Sequence, residues 1–103
     1  MQTIETKVVG VTYENRQAVV TQLKVGEVVY LVRNPENEYD PNAIKVYKWD
    51  GRSFGFLNRS LASVLVAQFD RYRRPVKAIV SEIKGGYSLG SCLGVVIKFD
   101  PPE

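Results

Sequence analysis

Glu36, Glu38 and Asp40 bring three carboxylates together in one short stretch of chain. Paired carboxylates serve as acid and base, and clustered ones hold hard cations. A Ca²⁺ site, however, wants six to eight oxygen ligands and a permissive glycine. No glycine lies in this stretch, so a solvated loop is the expected reading. The chain has no histidine, which removes the commonest general base, the commonest zinc ligand and any Ser–His or Cys–His dyad. Cys92 is the only cysteine, so no internal disulfide forms. Its apolar setting, Leu89-Gly-Ser-Cys92-Leu-Gly-Val-Val-Ile97, predicts a small core residue rather than a reactive thiol. Gly85, Gly86 and Gly90 stand between two strand-like runs and cannot set a phosphate on a helix N-terminus. Catalysis, a cofactor and a metal are therefore not expected, and the chain reads as a binding module. Arg71, Arg73 and Arg74 cluster around Tyr72. They are read either as a track for a phosphate backbone or as a solvated helix end, and they are left outside the site.

The elements that must position any site are legible from periodicity. The 103 residues, 45% hydrophobic and 24% charged, suit one globular domain over residues 1–103. Net charge is +3, mild enough to suit a polyanionic partner without demanding one. The N-terminus lacks the layout of a signal peptide and no apolar run approaches the roughly 20 residues of a membrane span. A cytoplasmic protein that stays off the membrane is expected.

Lys7-Val-Val-Gly-Val-Thr-Tyr13 alternates as a strand, with Val9, Val11 and Tyr13 on one face and Val8, Gly10 and Thr12 on the other. A short helix follows, with Asn15 as N-cap, Val19, Val20 and Leu23 as its apolar face, and Gly26 as its stop. Glu27 to Arg33 reads as a strand and Asn34 to Asn42 as a turn-rich loop. Ala43 to Lys48 and Arg52 to Leu57 form a hairpin about Asp50-Gly51. A longer helix runs from Asn58, its cap, to about Tyr72, with Leu61, Val64, Leu65, Phe69 and Tyr72 at helical spacing and Pro75 to end it. Val76 to Ile83 and Leu93 to Phe99 close the chain. Strands separated by so few helices predict a mainly β fold with two helices, a small OB-like or SH3-like β-barrel.

One segment is more specific. Leu31 to Val46 carries an arginine, an Asn/Pro loop and Tyr39-Asp-Pro-Asn-Ala-Ile-Lys-Val46, and Gly55-Phe-Leu-Asn-Arg59 leads into the long helix. This resembles the HIRAN family, whose signature is an arginine, a short Asn/Pro loop, Tyr-Asp-x-Asn-Ala-Ile-x-Val and Gly-x-Leu-x-Arg/Lys before a helix. The opening and closing strands follow the family as well. The resemblance implies a modified OB-like barrel of the kind found in fork-remodelling helicases and as stand-alone bacterial proteins. It also implies binding of single-stranded DNA at a free 3′ end, in repair or fork processing, with a helicase or nuclease as a potential companion.

The resemblance carries residue roles with it. Tyr39 occupies the family's loop aromatic and Tyr13 its partner. Between Glu38 and Asp40-Pro41, Tyr39 is expected to be exposed, and stacking a base on such a ring contributes roughly 1–3 kcal/mol. Asp40 is an odd residue to set against a polyanion unless the partner presents a hydroxyl donor, as a terminal 3′-OH does. It would also repel a 3′-phosphate. Its local alternative is to cap the Asp-Pro-Asn turn, and both roles are compatible. Arg59 matches a basic position suited to phosphate. Asn37 stands where a side chain reaches a base edge or shapes the loop, and Tyr87 aligns with a further stacking aromatic. Thr12 replaces an arginine of some DNA-binding relatives, and Phe56 replaces a polar residue. An adaptor module that binds protein on the same barrel is the competing expectation, because fold alone does not fix function.

Overall fold

The computed structural model describes residues 3–13, 15–85 and 92–102. Eight elements follow one another along the chain: β1 (Ile4–Lys7), α1 (Arg16–Val20), β2 (Val28–Arg33), β3 (Ile44–Tyr47), β4 (Ser53–Phe56), α2 (Arg59–Tyr72), β5 (Val76–Gly85) and β6 (Leu93–Phe99). The strands form one antiparallel sheet in the order β1-β6-β5-β2-β3-β4. It curls into a half-barrel, so the mainly β barrel with two helices is the fold the chain adopts.

Closure of the curl depends on two residues just past β1. The Val8 amide donates to the Val95 carbonyl of β6 at 2.9 Å, while Val9 and Phe56 of β4 exchange both backbone hydrogen bonds at 2.9 Å. One short segment thus joins the two ends of the sheet. Inside, Val8, Val20, Val29, Leu31, Ile44 and Phe54 are among the side chains wholly removed from water. Burial of a Val, Leu, Ile or Phe side chain contributes about 1.5–3 kcal/mol.

Several expectations need correction. The first strand stops at Lys7 rather than reaching Tyr13, because Gly10 turns the backbone to φ +74°. The alternation predicted across it breaks there, so that Val8 and Val11 are both buried while Val9 is exposed. Asn15 does not cap α1 with its side chain. It sits at φ +61°, in the left-handed conformation that asparagine tolerates. In α2, Ala62, Leu65 and Phe69 face the core, whereas Val64 is 74% exposed. The helix ends at Arg73, in the left-handed conformation, two residues before Pro75. Cys92 is exposed, not a core residue.

Candidate functional site

Loop 34–43 is fixed in shape because its side chains hold its own backbone. The Asn37 side-chain oxygen accepts from the amides of Tyr39 (2.9 Å) and Asp40 (3.0 Å). Asp40 Oδ1 accepts from the Asn42 amide at 3.0 Å, and the Ala43 amide donates to the Asp40 carbonyl at 3.0 Å. From β2, Arg33 Nη1 donates to the carbonyls of Pro41 and Ala43, each at 3.0 Å. With its backbone so fixed, the loop presents the Tyr39 ring to solvent, 81% exposed.

Across from it, the turn at Gly10 sets Tyr13, whose amide donates to the Gly10 carbonyl at 3.3 Å. Tyr13 is 67% exposed. Asn58 caps α2 by accepting from the amides of Ser60 (2.8 Å) and Leu61 (3.2 Å). This aims Arg59, the first residue of the helix, back toward the loop. Arg59 Nη2 donates to the Tyr39 carbonyl at 3.3 Å, and Arg59 Nε lies 3.7 Å from Asp40 Oδ2.

Tyr13, Asn37, Tyr39, Asp40 and Arg59 line one recess of about 310 Å³, near the lower end of the roughly 300–1,000 Å³ usual for ligand sites. Its floor includes Val9, Gly10, Phe56 and Leu57. Arg16 of α1 also lines it. Its Nη1 donates to the Gly10 carbonyl at 2.7 Å and its guanidinium carbon lies 5.2 Å from the centre of the Phe56 ring. Among the described lining residues, two guanidinium groups therefore accompany one carboxylate. Exposed rings, cations and a carboxylate make a surface able to stack planar groups, hold anions and accept from a hydroxyl. Glu36 and Glu38 do not line the recess. No group of acids or thiols placed to hold a metal ion occurs among the described residues.

A family model for the HIRAN domain matches residues 1–93. The chain belongs to the HIRAN family. A Fanconi-associated nuclease 1 homolog of Arabidopsis thaliana is 31% identical to this HIRAN domain over 80 residues, 78% of the chain and 8% of that protein. The human helicase-like transcription factor is 39% identical over 54 residues, 52% of the chain and 5% of that protein. The chain thus spans less than a tenth of these curated relatives. Among solved structures, the HIRAN domain of human HLTF superposes with a TM-score of 0.68 at 28% identity, over 98% of this chain and 77% of that one. A protein from Lactobacillus plantarum shares the fold with a TM-score of 0.67 at 23% identity, over 96% of this chain and 99% of that one.

Five of the six residues assigned to the site from the sequence meet in the recess of this HIRAN domain; the sixth, Tyr87, lies outside the described residues. Asn37 is a loop-shaping residue as well as a lining one. Sequence reasoning missed Arg16 and the recess-lining role of Phe56. Reading residues 7–13 as an unbroken strand hid the turn at Gly10, and only that turn brings Arg16 over the Phe56 ring. No described helix is long and apolar enough to cross a membrane.

Proposed function

We propose that this HIRAN domain is a non-catalytic DNA-binding module whose recess receives the free 3′-OH end of a single strand. The observation that carries this reading is the convergence of Tyr13, Tyr39, Asp40 and Arg59 on one recess from three distant parts of the chain. The exposed rings offer stacking surfaces for the last bases, which suits a strand of any sequence. Arg59, and Arg16 beside Phe56, stand where phosphate groups pass. Asp40 faces the recess as the acceptor for a terminal hydroxyl, and its charge opposes a terminal phosphate. A nuclease and a helicase-like factor among its relatives fit a role beside such enzymes at DNA ends.

The test is fluorescence anisotropy with one labelled oligonucleotide in three forms: 3′-OH, 3′-phosphate and circular. The 3′-OH strand is expected to bind tightest by at least several-fold. Equal affinity for all three forms refutes end recognition, and no salt-sensitive binding of any form refutes the DNA reading and returns the adaptor alternative.

A further inference from the structure

The recess opens onto the outer face of the sheet. Phe56, on its floor, stands opposite Lys45 of β3, and Lys45 stands opposite Val32 of β2. Residues directly opposite on antiparallel strands project to the same side. These three therefore form a line across the sheet, about 10 Å long at the usual ~4.8 Å strand spacing. Lys45 Nζ lies 5.8 Å from the centres of both the Phe56 and Tyr47 rings. Among the described residues it has no carboxylate partner. Tyr47 is opposite Tyr30, and Tyr30 is opposite Lys77, which widens the same face with another ring and another cation.

At its far end, Val32 lines a second depression of about 220 Å³ with Pro75, Arg73 and Arg74, where α2 ends. The carboxylate in that depression, Asp70, is engaged by Arg33 Nε at 2.7 Å. Arg73 and Arg74 remain as its exposed cations, the Arg74 guanidinium packed 5.2 Å from the centre of the Tyr72 ring. Rings interleaved with cations are the surface chemistry that holds a single strand without reading its sequence.

We propose that the recess is the end of a longer single-strand path: nucleotides upstream of the held terminus cross Phe56, Lys45 and Val32 and place phosphates at Arg73 and Arg74. This rests on reading the recess as the site of the 3′ end. The arginine cluster beyond α2, separate from the recess, becomes part of the binding surface.

The test compares a dinucleotide, a hexamer and a dodecamer with the same 3′-OH terminus, at two salt concentrations. Affinity is expected to rise several-fold with length. The double variant Arg73→Gly, Arg74→Ala should lose most of that gain and bind the dinucleotide unchanged. Its salt slope for the dodecamer should fall by about 0.7 for each phosphate that is no longer neutralised. Glycine suits the left-handed backbone at position 73, so the fold persists, which a thermal melt verifies. A dodecamer that binds no tighter than the dinucleotide overturns the path, as does a double variant that keeps the whole gain. A circular dodecamer separates the two readings. If it matches the linear strand, end recognition fails, whereas loss of the length effect alone removes the path and leaves the end-binding recess standing.

Discussion

At Asp40 one carboxylate has two neighbours of different kinds. Oδ1 accepts from the Asn42 amide at 3.0 Å, while Oδ2 looks toward Arg59 Nε at 3.7 Å, too long for a hydrogen bond. Asp40→Asn keeps an oxygen for the first and removes the charge from the second. The loop should therefore survive, while the preference for 3′-OH over 3′-phosphate should shrink toward unity in paired titrations. A preference that persists in this variant would mean that some other group rejects the phosphate. Tyr39 poses a simpler case. The residue is 81% exposed and stabilises the fold little, so Tyr39→Ala should leave the melting temperature almost unchanged. Loss of one stacked base weakens binding by about 1–3 kcal/mol, or roughly 5- to 150-fold in Kd. A variant that binds as tightly as the parent removes Tyr39 from the interface. The exposure of this ring was legible in the sequence because charged residues and a proline flank it. The position of Arg16 was not, because it depends on a turn that β-branched neighbours disguise as strand.

At the scale of elements, the site depends on how the sheet closes and how α2 begins. A Cβ on Gly55 would lie 2.6 Å from the Val9 carbonyl oxygen and 2.5 Å from Val8 Cγ1. Backbone held by the bridge between Val9 and Phe56 cannot step aside cheaply. Gly55→Ala should therefore cost about 1–3 kcal/mol by overpacking, read as a lower urea midpoint. It should also weaken ligand binding, because Val9 and Phe56 both line the recess. Stability equal to the parent would show that the closure is not tight. Asn58→Ala removes the cap that sets the first turn of α2, an expected loss of about 1 kcal/mol. Helix, hairpin and closing strands were legible because their periods are sustained and their caps are conventional: Asn58 caps, Gly51 turns and Pro75 follows. The strand pairing was not legible. β6 lies between β1 and β5, and β5 beside β2, and such neighbours are chosen by long-range packing that leaves no local mark.

On the scale of the whole molecule, Tyr13, the loop at 37–40 and Arg59 sit far apart along the chain and meet only when the half-barrel has formed. The family resemblance could name most of these residues, but only the folded sheet makes them one surface. An unfolded chain holds none of this arrangement, so a ligand seated there binds the folded state alone and stabilises it by mass action. At a free concentration of one hundred times Kd the gain is about 2.7 kcal/mol. For a domain near this size each kcal/mol raises the melting temperature by roughly 4–8 °C, which gives an expected rise of about 10–20 °C with a saturating 3′-OH strand. The same concentration of the 3′-phosphate strand should give a smaller rise, and with Tyr39→Ala both rises should fall together. Because a melt reports the population of the folded chain, it is independent of any fluorophore placed near the terminus. Identical shifts for the two end chemistries would mean that the strand is held along its length and not by its end.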